Sequence, residues 1–402
     1  MFRCSIKIYV AISTLTSVLT LVGCSSPELY SPLPAEFETQ AQVVGFKDIR
    51  AWGDESNKAM EASARISARQ EIKANAHPLS QMNALAISGG GADGAFGAGL
   101  LCGWSKTGKR PQFHLVSGIS TGALIAPFAF LGSNYDAKLT ELYTTLSDEN
   151  IYELNNPFSI IASFIKPVLS PAIASNEPLA VMIRKTVTQD MLNEIAREHL
   201  KGRRLFIGTT QLNAQRLVIW DIGAIATSDS PHALELVHKI LLASSALPGI
   251  FPPQYFSVEG NGSVYKEMHV DGGVETQVML FQKAIYPYAT ITAAPDQHTM
   301  KRLYIIRNHK VSPEWKNVKP SINSMAARVI STLTKTQGIG DLYRLYTYCV
   351  RSHIQYNLAY IPDSFTAIAK SPFDSNYMKE LFTVGYGMGQ KGYPWQKYPP
   401  GY

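Results

Sequence analysis

From about residue 83 onward, the chain alternates between short apolar runs and longer stretches in which apolar residues recur at helical spacing. The runs of strand length lie at 84–88, 113–118, 203–212, 216–223, 264–273 and 301–308, and the third and fourth read as a pair. The first helical stretch follows the first apolar run and ends at about Lys106, and the second begins at Thr121. A third extends from an N-cap and proline at Ser230–Pro231 to about Ala246. Two more cover 321–336 and 341–352. Alternation of this kind predicts an α/β fold, in which helices cover both faces of a mainly parallel sheet.

The N-terminal residues have the layout of an export signal. Arg3 and Lys7 precede an uncharged, mostly apolar run at 8–22, which is too short to span a membrane comfortably. The run ends in 21-LVGC-24, which resembles the bacterial lipobox, where the signal is cut before a cysteine that then carries lipid. We therefore expect lipidation of Cys24 and a place in the bacterial cell envelope. Ser25 in the next position implies the outer membrane, and an ordinary signal peptide is the alternative.

Charge and cysteine content limit the possible partners. The formal net charge of the 402-residue chain is +6, and loss of Arg3 and Lys7 would reduce it to +4. So small an excess is no nucleic-acid signature, although it favours contact with an anionic membrane surface. Cys102 and Cys349 remain after processing, and we expect two buried free thiols rather than a disulfide. No Cys/His cluster has metal-ligand spacing, so no metal is expected.

The stretch 85-LAISGGGADGAFGAGLL-101 contains a dinucleotide-binding pattern between a predicted strand and a predicted helix. A dinucleotide site also needs an acidic residue about 20 positions later, and none occurs from Ala95 through Tyr135. The amides of Gly89, Gly90 and Gly91 are suited instead to an oxyanion, because no Cβ prevents them from turning toward one point.

A second motif follows the next strand. Gly118, Ser120 and Gly122 form G-x-S-x-G at a strand-to-helix junction, which is the context of a nucleophile elbow. The N-terminus of the following helix would favour negative charge at this position. The alternative is a tight turn with a helix-capping serine.

The base for Ser120 is ambiguous from the residues alone. None of the nine histidines lies in a recognisable catalytic motif, although His269 would share a strand face with Asp271. Asp271 itself ends a predicted strand at 270-VDGGV-274 and is the other candidate. A carboxylate would act as the base only if burial raised its basicity, and a plain Asp-Gly-Gly turn is the non-functional alternative.

Four ordered segments together resemble the patatin-like acyl hydrolases. They are 89-GGGADG-94, 118-GISTG-122, 243-ASSALPGIFPP-253 and 271-DGG-273, and the resemblance covers about residues 83 to 280. It implies a three-layer α/β/α fold and hydrolysis of lipid acyl esters, often phospholipids, without a metal or organic cofactor.

The resemblance also implies residue roles. Ser120 would be the nucleophile and Asp271 the base of a Ser-Asp dyad. Gly89, Gly90 and Gly91 would form the oxyanion loop, Gly118 and Gly122 the elbow, and Gly272 and Gly273 the turn after the base. The family loop usually carries Arg or Lys before its last glycine, whereas this chain has Asp93. That reversal of charge disfavours phospholipid and favours neutral glycerides or other acyl esters.

These features divide the chain into four predicted units: a signal peptide at 1–23, a lipidated tether and N-terminal extension without strands at 24–80, a catalytic domain at 81–310, and C-terminal helices and an arm at 311–402 packed on that domain. Within them we expect a polar helix at 61–76 and an irregular arm at 384–402. The apolar stretch 158–174 is expected to be helical core and loops, with a flap over an acyl pocket as the alternative.

Three other functions stay open. The first is an α/β-hydrolase with a Ser-Asp-His triad that uses His298 or His309, although too few strands precede Ser120 and no His-Gly motif occurs. The second is a non-catalytic, lipid-binding envelope lipoprotein. The third is the dinucleotide-binding protein described above.

Overall fold

The computed structural model describes residues 30–75, 81–154, 174–290 and 299–402. The predicted signal peptide with Cys24, nearly all of the apolar stretch 158–174, and His298 lie outside the described residues. Within the described ranges, no helix combines the length and apolar character needed to cross a membrane.

One large mixed sheet organises the chain. The strands, in chain order, are β1 (Gln42–Val43), β2 (Arg50–Trp52), β3 (Gln81–Ile87), β4 (Leu115–Gly118), β5 (Glu153–Leu154), β6 (Ala174–Ser175), β7 (Arg204–Gln211), β8 (Arg216–Asp221), β9 (Gln254–Gly260), β10 (Ser263–Asp271), β11 (Met300–Arg307) and β12 (Gln355–Tyr360). The sheet order is β1-β9-β10-β7-β4-β3-β11-β12, with β8 also paired to β7 and β2 to β8, while β5 and β6 form a separate pair. β7, β4, β3, β11 and β12 are parallel, and the remaining pairs of the large sheet are antiparallel.

Helices cover both faces of this sheet. They are α1 (Lys58–Asn75), α2 (Gly94–Lys106), α3 (Thr121–Leu131), α4 (Asp136–Thr145), α5 (Asp148–Ile151), α6 (Glu177–Thr186), α7 (Gln189–Leu200), α8 (Ile222–Ala226), α9 (Ala233–Ser244), α10 (Pro287–Thr290), α11 (Ile322–Arg351) and α12 (Ser375–Gln390). Every residue of β7 is buried, as expected for a central strand covered on both sides. The expected three-layer α/β/α class with a mostly parallel centre is confirmed.

Two separate apolar cores lie on the two faces. One contains side chains from α2, α3, α7, α9 and α12, and the other contains side chains from α1, residues 278–288 and the second half of α11. Cys102 belongs to the first core and Cys349 to the second, and both are free and buried, as the sequence predicted. The sheet therefore separates the two thiols.

The C-terminal region differs from its prediction in two places. α11 is one continuous helix where two were predicted, and Gly338 within it leaves space for a side chain: a Cβ there would lie 2.2 Å from the Arg307 guanidinium. The expected irregular arm is helical as far as Gln390. Its glycines pack against α2, where a Cβ on Gly385 would lie 2.3 Å from the Phe96 carbonyl oxygen.

The N-terminal extension and one helix start also differ. The polar helix predicted at 61–76 is present as α1, but the region also supplies β1, which pairs with β9, and β2, which pairs with β8. Strands of two and three residues are too short to show an alternating pattern. α9 begins at Ala233 rather than beside Ser230, because the intervening residues form a turn. The predicted pairing of β7 with β8 is confirmed, and the two strands are antiparallel.

Candidate active site

Ser120 occupies a strained turn between β4 and α3. Its φ of 54° and ψ of −126° lie where side chains are rarely tolerated, which is typical of a nucleophile elbow. Gly118 and Gly122 permit this turn, since a Cβ on Gly118 would lie 2.3 Å from the Gly122 carbonyl oxygen and one on Gly122 would lie 2.3 Å from that of Ile87. The Ser120 side chain makes no helix-capping hydrogen bond, so the alternative of a capping serine is wrong.

Asp271 lies at the end of β10 with its carboxyl beside the Ser120 side chain, which acts to lower the carboxyl pKa. Its Oδ1 accepts a hydrogen bond from the Gly273 amide at 2.7 Å. The residue is only 4% exposed, and this burial raises the pKa of its carboxyl to about 6, although Ser120 and the Gly273 amide act in the opposite direction. Asp271 is therefore a carboxylate at neutral pH, but a more basic one than an exposed aspartate.

The turn after Asp271 requires both of its glycines. A Cβ on Gly272 would lie 2.6 Å from the Gly208 carbonyl oxygen of β7. A Cβ on Gly273 would lie 2.8 Å from Gln277 Nε2 and 3.0 Å from Asp271 Oδ1. Larger residues would displace the carboxylate that faces Ser120.

The end of α9 and the residues just after it connect the serine to the aspartate. The Ser120 amide donates to Ser244 Oγ at 3.0 Å, and that hydroxyl donates to the Gly208 carbonyl at 2.7 Å. The Asp271 amide donates to the Ala246 carbonyl at 3.0 Å. The sequence motif 243–253 contained these residues, but the spacing alone gave Ser244 no role.

The three glycines of the loop after β3 are not equivalent. Gly89 lies against the serine, because a Cβ there would lie 3.2 Å from Ser120 Cβ. Its amide already donates to the Gln277 carbonyl at 3.2 Å, so the expectation that all three glycines present a free donor does not hold for Gly89. Among the described residues, no protein atom accepts a hydrogen bond from the Gly90 or Gly91 amide. Gly91 has a φ of 56°, which favours glycine.

Asn308, just after β11, supports this loop through hydrogen bonds. Its backbone amide donates to Ser88 Oγ at 2.8 Å and its side-chain Nδ2 donates to the Ser88 carbonyl at 2.9 Å. Its Oδ1 accepts from the Gly97 amide at 3.1 Å. A Cβ on Gly90 would lie 2.5 Å from the Asn308 carbonyl oxygen, so the loop rests directly on this residue. Nothing in the local sequence indicated this role.

Asp93, the departure from the family loop, is engaged inside the protein. Its carboxylate accepts a hydrogen bond from the Tyr377 hydroxyl at 2.6 Å and lies 3.1 Å from His309 Nδ1. Burial raises the pKa of Tyr377, and the neighbouring Asp93 raises it further. Arg307 is close enough to be influenced by Asp93, although burial dominates and lowers the Arg307 pKa to about 10. Asp93 therefore connects the glycine loop to α12 and to the chain after β11.

The histidines considered from sequence have other partners. His269 is fully buried, with Nδ1 2.9 Å from Thr209 Oγ1 and Nε2 3.1 Å from Glu267 Oε2. Burial lowers its pKa, although Glu267 opposes that shift. His309 lies beside Asp93, as described above. Among the described histidines, these two therefore do not take the position that Asp271 holds beside Ser120.

The fold and this site define a hydrolase with a serine at a strand-to-helix elbow. Residues 85–280 match the model of the Patatin family, which is described as patatin-like phospholipase. Residues 85–280 are therefore a patatin-like phospholipase domain, and this family supports lipid acyl hydrolase activity. The matched region contains the glycine loop, Ser120, Ser244 and Asp271, whereas Asn308 and Tyr377 lie beyond it.

Comparisons with solved structures and with curated proteins give weaker information about this chain than the family model does. VipD from Legionella pneumophila is a similar solved structure, with 12% sequence identity and a TM-score of 0.34 over 78% of this chain and 67% of that chain. Similarity at this level carries no argument about function. The search of curated proteins gave no match.

Proposed function

We propose that this protein cleaves fatty acyl esters with a Ser120–Asp271 dyad. The observation that carries the proposal is a serine at a strained elbow whose side chain lies beside a buried carboxylate of raised pKa. A nucleophile needs an adjacent base of suitable basicity, and this pair supplies both within one contact.

In the acylation step, Ser120 Oγ attacks the ester carbonyl carbon while its proton moves to the Asp271 carboxylate. The carbonyl oxygen becomes an oxyanion, which the amides of Gly90 and Gly91 are placed to hold. The amide of Thr121, at the N-terminus of α3, adds a third donor, since the residue after an elbow nucleophile commonly serves this purpose. The carbon–oxygen bond to the alcohol then breaks, and the proton on Asp271 passes to the departing alkoxide.

Deacylation repeats these steps with water. Asp271, ionised again, takes a proton from a water molecule as its oxygen attacks the acyl-enzyme carbonyl carbon. The same amides hold the second oxyanion. The bond to Ser120 Oγ breaks, Asp271 returns the proton to that oxygen, and the fatty acid is released.

Apolar side chains close to the pair support a lipid acyl substrate. Leu247 directly follows Ala246, whose carbonyl binds the Asp271 amide, and it is 39% exposed. Ile250 and Val274, from the same segment and from the turn after Asp271, are 42% and 43% exposed. Exposed apolar residues beside a polar reacting pair suit a substrate with an ester group on a hydrocarbon chain.

Labelling with a fluorophosphonate probe tests the proposal. Such a probe reacts with activated serines, so the parent should be labelled and Ser120→Ala should not. Ser263→Ala, which removes the exposed serine at the start of β10, is the matched control and should be labelled like the parent. A folded parent without label, or equal labelling of Ser120→Ala, would refute the proposed nucleophile.

We further propose that the protein is held in the bacterial cell envelope by lipid on Cys24, with the outer membrane as its site. The signal-like run and the LVGC sequence support this proposal. Cys24→Ser should release the protein from the membrane fraction, and retention of that variant would contradict lipid anchoring.

A further inference from the structure

The first half of α11 exposes an apolar stripe. Its residues recur at positions i, i+3, i+4, i+7, i+8 and i+11, which places them on one helix face: Ile322, Met325, Ala326, Val329, Ile330 and Leu333. In a globular protein such a stripe normally faces the core. Here Ile322 is 82% exposed and Leu333 is 64% exposed, and the other four members are exposed as well. We call these six residues the α11 stripe.

Trp315 extends the apolar surface from the segment that precedes the helix. That segment is fixed against α11 by the Arg328 guanidinium, which donates to the Glu314 carbonyl, and by Lys335 Nζ, which lies 2.8 Å from Glu314 Oε2. The Trp315 side chain is nevertheless 90% exposed. An indole held at the surface in this way is suited to a membrane–water interface, where one part of the ring is apolar and the N–H stays wet.

Positive charge accompanies the apolar residues. The segment 310–336 carries one carboxylate, Glu314, and a larger set of cations: Lys310, Lys316, Lys319, Arg328 and Lys335. Glu314 pairs with Lys335, whereas Lys316 and Lys319 are exposed. A basic, amphipathic segment with an exposed tryptophan complements an anionic lipid surface.

The stripe also leads to the candidate active site. One turn beyond Leu333, Gln337 Nε2 donates to the carbonyls of Val274 and Glu275, at 3.3 and 2.5 Å, in the turn that follows Asp271. At 1.5 Å per residue, the helix extends about 22 Å from this contact to Ile322. A surface bound to the stripe would therefore lie along one side of the catalytic turn.

We propose that the α11 stripe and Trp315 dock on the surface of an anionic phospholipid bilayer. The choice of a lipid surface rests on the proposed acyl hydrolase function, while the charge of the segment selects an anionic one. A second copy of this chain is disfavoured as the occupant, because a symmetric contact through this face would bring its lysines near those of the other copy. Docking here would place the dyad at the interface that contains its substrate.

Fluorescence of Trp315 tests docking independently of turnover. The full chain carrying Ser120→Ala is mixed with vesicles of brominated phosphatidylglycerol or brominated phosphatidylcholine, and Trp315→Phe in the same background isolates the signal of this residue. We expect quenching of Trp315 by phosphatidylglycerol vesicles and weaker quenching by phosphatidylcholine. The readout is local, so a lipid anchor at the N-terminus does not replace it.

Substitutions on opposite faces of α11 provide the matched comparison. Val329→Asp with Leu333→Asp should weaken the apparent affinity about tenfold or more, because two apolar side chains lose their burial in lipid. Ser331→Asp adds a carboxylate on the opposite face of the same helix and should leave the affinity within about twofold. Lys316→Gln with Lys319→Gln should cost about fivefold per lysine on phosphatidylglycerol.

Results of two kinds would overturn the docking proposal. One is an unchanged Trp315 signal with phosphatidylglycerol vesicles, or equal affinity of the parent and the double Asp variant. The other is a parent dimer, detected by light scattering, that becomes monomeric in the double Asp variant, since the occupant would then be a second copy. Fluorophosphonate labelling of these variants in the Ser120 parent separates the two proposals: label without quenching refutes docking alone, and quenching without label refutes the dyad alone.

Discussion

Replacement of Ser120 by alanine should lower the turnover of a soluble acyl ester by about 10⁴-fold or more. The substitution removes the oxygen that would form the acyl-enzyme, while Asp271 and the loop amides remain in place. Initial rates with a monomeric short-chain ester measure this effect without any contribution from membrane docking. Ser263→Ala is again the matched control and should retain the parent rate. Turnover by Ser120→Ala close to that of the parent would contradict the nucleophile assignment.

The same position predicts an effect on stability. Ser120 has a φ of 54°, and alanine would keep that strained conformation, so Ser120→Ala should unfold at nearly the parent denaturant concentration. Glycine adopts this conformation freely, and Ser120→Gly should therefore raise the free energy of unfolding by about 1 kcal/mol while also abolishing turnover. Urea unfolding monitored by circular dichroism distinguishes the two variants. Lower stability in Ser120→Gly than in Ser120→Ala would show that the elbow is unstrained.

The parts of this site that the sequence predicted belong to short, contiguous patterns. Ser120 and Asp271 each stand beside glycines at fixed offsets, because a sharp turn and a close backbone approach leave no space for a Cβ. Those requirements are local, so a few consecutive residues of the sequence reveal them. The flanking strands were visible for the same reason, since a buried strand such as β7 contains a short apolar run, here Leu205–Ile207.

The supporting residues were not predicted, because their roles come from contacts between distant parts of the chain. Asn308 meets Ser88 across 220 positions, and Tyr377 meets Asp93 across 284. Asparagine after a strand and tyrosine in a helix are ordinary in sequence. Only the fold shows that both residues hold the glycine loop.

The prediction around Gly338 was wrong for the same reason. Two helices were predicted, at 321–336 and 341–352, where α11 is continuous through Gly338. The glycine accommodates the Arg307 guanidinium, a contact that no local pattern contains. Propensity ranks glycine as unfavourable in a helix, and the tertiary contact overrides that preference.

Replacement of Asp271 by asparagine should reduce turnover by about 10⁴-fold, because the amide cannot accept the Ser120 proton. In the parent, kcat/KM should rise with pH along an acid limb with an apparent pKa near the value of about 6 that burial gives this carboxyl. Asp229→Asn removes an exposed carboxylate and should retain both the rate and the limb. An acid limb that ended near pH 4, the range of an unperturbed aspartate, would indicate that Asp271 is not the titrating base.

Asp271→Asn should also be more stable than the parent at neutral pH. The pKa of Asp271 is raised from 3.8 to about 6 in the folded protein, so the folded state binds this proton more tightly than the unfolded chain does. The resulting stabilisation is complete below pH 4 and is lost as the pH rises through about 6. The free energy of unfolding lost over this range is about 3 kcal/mol. Asparagine does not ionise and avoids that loss.

The difference in unfolding free energy between Asp271→Asn and the parent should therefore change in favour of the variant by about 3 kcal/mol between about pH 4 and about pH 8. Taking the difference at each pH cancels other titrating groups and any fixed cost of the amide. Urea unfolding at the two pH values measures it, and Asp229→Asn should show little change. A pH-independent difference would mean that the carboxylate is not destabilised by burial. Agreement would show that the protein sacrifices stability at neutral pH to keep a basic carboxylate beside Ser120.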